Sequence, residues 1–157
     1  MLQVGTAAPA FELPDASMEM IKLASFRGKR NVVLYFYPKD GTPSCTREAL
    51  DFSDHEDQFE ECDTVVFGVS RDDCLVHEAF CDEHGISLRL LSDAECEVSR
   101  KYEVLVEQAV NGTVHEGVHR STFVIDKKGV LRHVLTNMNP REHADHVLKL
   151  VRQIHSH

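Results

Sequence analysis

Short, fully apolar runs alternate with longer stretches whose apolar residues recur at helical spacing. Val32 to Tyr37 (VVLYFY) and Thr64 to Ser70 (TVVFGVS) are brief, β-branched and aromatic, the mark of strands buried on both faces. Leu88 to Leu91 predicts a third strand. Ser121 to Ile125, Asp126 to Gly129 and Val130 to Leu135 read as strand, turn, strand. Between them, Thr46 to about Cys62 is polar but helix-compatible, with Ala49, Phe52 and Phe59 near one face. Asp72 and Asp73 suit a helix start and Gly85 its end. Val76, Ala79 and Phe80 form that helix's expected inner stripe, which puts Cys74 and Cys81 together on the opposite, accessible face. Ala94 to Tyr102 predicts a short helix, and Val106–His119, without a period, a loop containing Asn111-Gly112. Pro140 suits the first turn of a final helix striped by Ala144, Val147, Leu148, Val151 and Ile154. Phe11-Glu12-Leu13 and Met20 to Leu23 are expected to form a small N-terminal hairpin, and Phe26-Arg27-Gly28-Lys29 a turn. The alternation of strands and helices predicts an α/β sheet covered by helices, its parallel strands joined by crossovers.

At 157 residues the chain fits one domain, 1–157, with enough interior for a core. A formal net charge of −9 argues against nucleic acid or an anionic membrane as main partner. No apolar stretch approaches the length of a membrane span. The start lacks a basic segment followed by an apolar one, so no export signal is expected. Five cysteines, an odd number, argue against a disulfide framework and make the reducing cytoplasm the expected compartment. Without an obvious exposed apolar face, a monomer is expected.

The cysteines differ in their surroundings. Cys62 lies in Glu60-Glu61-Cys62-Asp63 and Cys96 in Glu95-Cys96-Glu97, and nearby carboxylates disfavour a thiolate. Cys45 follows the strand Val32 to Tyr37 across a turn forced by Pro38, Gly41 and Pro43, and it opens a helix. Unpaired N–H groups and the positive end of the helix dipole favour a thiolate there, with Arg47 and Lys39 nearby. Cys45 is therefore read as a redox nucleophile, and either Cys74 or Cys81 as a second thiol that resolves it. Lys39-Asp40 reads as ordinary surface charge. Arg120, at the head of an apolar strand, calls for an anion inside the fold, such as the Cys45 thiolate. His143 and His146, spaced i, i+3, suggest a metal at first sight, but no Cys or acidic ligand clusters with them, and with His155 and His157 they read as a solvated face.

Pro38-x-x-x-Thr42-x-x-Cys45, within YFYPKDGTPSCTRE, resembles the active-site signature of the peroxiredoxins. With HRSTFVID (His119–Asp126), the chain is similar to the bacterioferritin comigratory protein/PrxQ subfamily over nearly its whole length. The resemblance implies a thioredoxin-like fold, a central mixed β-sheet flanked by helices with an N-terminal β-hairpin extension. It implies reduction of hydrogen peroxide and organic hydroperoxides, no metal or organic cofactor, and recycling by thioredoxin or a similar dithiol. By resemblance Cys45 is the peroxidatic cysteine, Thr42 bonds the thiolate and the peroxide, Pro38 shields the site, and Arg120 stabilises the thiolate and polarises the peroxide. Glu48 matches a carboxylate that orients an arginine. The usual resolving position five residues after Cys45 is Leu50 here, whereas Cys81 matches the position used by another branch. A thioredoxin-fold binding module that uses Cys45 only as a sensor is the alternative. It would react with peroxide once, where a peroxidase turns over.

Overall fold

The structure, a computed structural model, describes residues 2–136 and 142–155. Its centre is a five-stranded mixed sheet. β3 (Asn31–Phe36) pairs in parallel with β4 (Thr64–Ser70), and β4 with β5 (Arg89–Ser92). On its other side β3 pairs antiparallel with β8 (Ser121–Ile125), which pairs antiparallel with β9 (Leu131–Thr136). β3 is covered on both sides, which is why its sequence is an unbroken apolar run. Val33 and Tyr35 face one core with Ala49, Phe52, Phe59, Val147 and Val151, and Val32, Leu34 and Phe36 face the other with Leu13, Ile21, Tyr102 and Phe123. The first core holds α1 (Pro43–Asp54), α2 (Glu56–Glu61), α3 (Cys74–His84) and α5 (His143–His155) against the sheet. The second lies beneath α4 (Glu97–Lys101) and the N-terminal hairpin of β1 (Glu12–Pro14) and β2 (Met20–Lys22). Pro140 lies outside the described residues.

Three expectations need correction. Val106–His119 is not a loop: β6 (Leu105–Val110) and β7 (Thr113–Val118) form an antiparallel hairpin. Asn111 and Gly112, both at positive φ (53° and 78°), make its two-residue turn. The pattern hid it because Val106 and Val114 are exposed and leave no apolar face to read. The helix expected over Thr46 to Cys62 is two helices that part at His55.

The third correction concerns α3. Leu75 and Val76 are exposed, and the inward side is His77 and Phe80, flanked by half-buried Cys74, Cys81 and His84. The helix is turned away from the predicted stripe because its innermost residue is a histidine that finds partners inside. Cys81, half-buried, therefore packs against the same core as Cys45 instead of lying on an open face.

Gly68 of β4 is required by its neighbour on β3. A Cβ there would lie 2.7 Å from Cζ of Tyr35 and 2.8 Å from Cδ2 of Leu90. The Tyr35 ring is stacked on Phe52 with centroids 4.8 Å apart, and its hydroxyl is buried with no hydrogen-bond partner among the described residues. Gly68→Ala is expected to destabilise the fold by about 1–3 kcal/mol through overpacking, measured by denaturant unfolding. An unchanged midpoint would show that the ring can yield.

Candidate active site

The turn after β3 ends on Thr42, which caps α1. Its Oγ1 accepts the Cys45 N–H at 3.2 Å, and Pro43 occupies the first turn, where a missing N–H costs nothing. The capping bond uses a lone pair of Thr42 and leaves its O–H proton free to donate. Gly41, at φ +88°, supplies the left-handed residue the turn needs. Cys45 is thereby held in the first turn of α1, 2% exposed.

The cation that reaches the sulfur comes from the strand next to β3. Arg120, just before β8, donates from Nη2 to Sγ of Cys45 at 2.9 Å. Lys39 and Arg47, its neighbours in sequence, are both exposed. Nη1 of Arg120 is buried, lies 3.7 Å from Oε1 of Glu48, and has no hydrogen-bond partner among the described residues. Glu48, one turn after Cys45 and 2% exposed, accepts from Nδ1 of His143 at 2.8 Å through Oε2. Nε2 of His143 meets Oγ1 of Thr122 at 2.7 Å. A file of buried groups thus runs from β8 through His143 and Glu48 to Arg120 and the sulfur. The guanidinium thus lies between the sulfur and the Glu48 carboxylate, which holds it in place.

His143 corrects the expectation of a solvated face. It lies four residues before Val147 and eight before Val151, so it falls on the apolar stripe of α5, and it is buried. That spacing was the available signal. His146 and His155 are exposed, as expected, and His157 lies outside the described residues. Asp40 is a second correction. Its side chain is 2% exposed, and its carboxylate accepts from the Tyr37 hydroxyl at 2.6 Å and contacts Nδ1 of His77 at 2.5 Å. Nothing in the local sequence announces a histidine 37 residues away. Among the described residues Asp40, Asp72 and His77 are close enough to share a cation, but all are engaged with other protein groups.

Pro38 is exposed at the end of β3. Cys45 and Cys81 are both free. Burial, reinforced by Asp40 and Asp82, pushes the Cys81 thiol up to about 11. Below that pH it is mostly a thiol. Alkylation of Cys81 at pH 8 is therefore expected to run about 100-fold slower than at an ordinary thiol, and to climb until about pH 11. A plateau near pH 9 in residue-resolved mass spectrometry would contradict this.

The AhpC/TSA family model matches residues 4–134. Peroxiredoxin Bcp of Bacillus subtilis is 37% identical over 98% of this chain and 97% of its own length, and that of Escherichia coli 34% over 97% of each. A solved structure of the bacterioferritin comigratory protein of Xanthomonas campestris, described in terms of alkyl peroxide reduction, superposes with a TM-score of 0.90 at 29% identity, covering 99% of this chain and 98% of that one. Peroxidoxin BcpB of Mycobacterium tuberculosis superposes with a TM-score of 0.87 at 32% identity, covering 98% and 99%. A thiol held by a helix cap and an arginine on a thioredoxin-like sheet, together with these matches, places the chain in the AhpC/TSA family of thiol-dependent peroxidases. Within that family it is a peroxiredoxin of the Bcp/PrxQ branch.

Proposed function

We propose that this peroxidase reduces hydrogen peroxide and organic hydroperoxides through Cys45, resolves the product with Cys81, and is recycled by thioredoxin or a similar dithiol. The observation that carries the reading is the Arg120 contact: one terminal nitrogen donates to the Cys45 sulfur, and the other is a buried donor with no hydrogen-bond partner among the described residues. The Cys45 thiolate attacks the near oxygen of the peroxide. The S–O bond forms, the O–O bond breaks, and the departing alkoxide or hydroxide takes a proton from solvent. Negative charge grows on the far oxygen, and in this reading Nη1 of Arg120 and the O–H of Thr42 donate to it. Glu48, held by His143, fixes Arg120 between sulfur and peroxide. Pro38 screens the site from water.

The Cys81 thiol then attacks the sulfenic acid. A disulfide forms, and the thiol proton leaves with the sulfenic hydroxyl as water. The dithiol partner reduces that disulfide by exchange. Cα atoms must come within about 7 Å for the bond, so the first turn of α1 and part of α3 unwind. The chemistry requires free thiols at rest, which suits a reducing cytoplasm, and it is complete within one chain, which suits a monomer.

The test is peptide mapping after one equivalent of hydrogen peroxide without reductant, paired with turnover under a thioredoxin-recycling system. A Cys45–Cys81 crosslink and many turnovers per enzyme are expected. A Cys45–Cys74 link would move the resolving role to Cys74. Sulfenic or sulfinic Cys45 with a single turnover would favour a sensor.

A further inference from the structure

The two reactive segments are joined by a buried contact that the peroxide step does not use. Asp40, in the turn before α1, and His77, in α3, meet at 2.5 Å with side chains 2% and 0% exposed. Nε2 of His77 lies 3.1 Å from the Leu91 carbonyl, which can only accept, so Nε2 carries a hydrogen and donates it. One further hydrogen lies between Nδ1 and Oδ2 of Asp40. The other oxygen of Asp40 accepts from Tyr37, and its backbone N–H donates to Asp72, which also accepts from Ser70 at the end of β4. The contact is thus braced from the ends of β3 and β4 and from β5, three neighbouring strands of the sheet.

Its place in the sequence matters more than its strength. Asp40 precedes Cys45 by five residues, and His77 precedes Cys81 by four. If the first turn of α1 and the second half of α3 unwind while this contact holds, each cysteine becomes the end of a short arm, and both arms start from one fixed point. Fully extended, arms of five and four residues reach about 17 and 14 Å, enough for the sulfurs to meet with the contact intact. Two groups on short arms from a common pivot meet at a high effective concentration.

We infer that His77 is a positioning residue for the resolving step: by holding Asp40 it pins together the roots of the two segments that carry Cys45 and Cys81. The inference rests on Cys81 as the resolving thiol. It adds a residue that touches neither the peroxide nor either sulfur, and it separates the resolving rate from the peroxide rate.

Two near-isosteric substitutions separate the bonds of His77. In His77→Asn the amide nitrogen can stand where Nδ1 stood and keep the bond to Asp40. In His77→Gln it stands where Nε2 stood and keeps only the bond to Leu91. Rapid-quench mass spectrometry after a peroxide pulse reads oxidation of Cys45 and appearance of the Cys45–Cys81 crosslink separately. H77Q is expected to form the crosslink at least about 10-fold more slowly than wild type. At matched peroxide it should accumulate more sulfinic Cys45, with the first oxidation within about twofold of wild type. H77N is expected to crosslink within about threefold of wild type. Equal crosslinking rates in H77Q and wild type would overturn the inference, as would H77N as slow as H77Q. A first step slowed in parallel in H77Q would reduce His77 to a structural role and overturn it too. A wild-type protein with no Cys45–Cys81 crosslink would instead remove the resolving assignment and the inference together.

Discussion

Cys45→Ser is expected to lower peroxide turnover at least about 10³-fold, leaving fold and melting temperature nearly unchanged. The hydroxyl fits the space of the thiol, and the backbone N–H still bonds Thr42, so the cap of α1 survives. What is lost is a group that can ionise and attack: a serine hydroxyl beside a guanidinium remains a hydroxyl at neutral pH. Three of the other four cysteines are poorly suited to take over. Cys62, after α2, and Cys96, before α4, are buried outside the turn that Thr42 caps. Burial and two aspartates keep Cys81 protonated. The check is the initial rate of peroxide loss with excess reductant, run beside Cys62→Ser and Cys96→Ser, which should keep most of the activity. Turnover above about a tenth of wild type in Cys45→Ser would relocate the nucleophile.

What the sequence reveals and what it hides follow one physical rule. A residue whose environment is set by its own neighbours can be read from them. The runs that became β3 and β4 are covered on both faces, and Cys45 owes its cap and its place in a first turn to Thr42 and Pro43 three and two residues before it. Arg120 was legible for a different reason: a charge leading into a buried strand has to meet an anion, although only the fold shows which one. Pairs made across the fold leave no local trace. Asp40 and His77 are 37 residues apart and Glu48 and His143 are 95; Asp40 and His143 read as surface because a lone polar residue in a helix or turn is usually solvated, His77 draws no reading, and Glu48 gains its role only from the resemblance. The misreading of α3 has the same root. Once His77 is satisfied by Asp40 and Leu91 it can face inward, and Leu75 and Val76 are left outside.

Arg120→Ala is expected to slow oxidation of Cys45 by peroxide about 10²–10³-fold, and the cause is more than the loss of one donor. Removing a fixed donor from a developing oxyanion costs about that much alone. Here the substitution also leaves Glu48, a buried carboxylate still held by His143, beside the sulfur with no cation between them. A carboxylate so placed works against the thiolate. The two groups are therefore coupled, and the coupling has a sign. Glu48→Gln alone loosens Arg120 and should lower the rate by less, about 10-fold. Added to Arg120→Ala, it should raise the rate above that of Arg120→Ala, because it removes the charge that repels the thiolate. Stopped-flow rates for the four proteins, with thiolate ultraviolet absorbance as a second readout, complete the cycle. Losses that simply multiply would mean that Glu48 and Arg120 act independently, and a double variant no faster than Arg120→Ala would remove Glu48 from the electrostatics of the site.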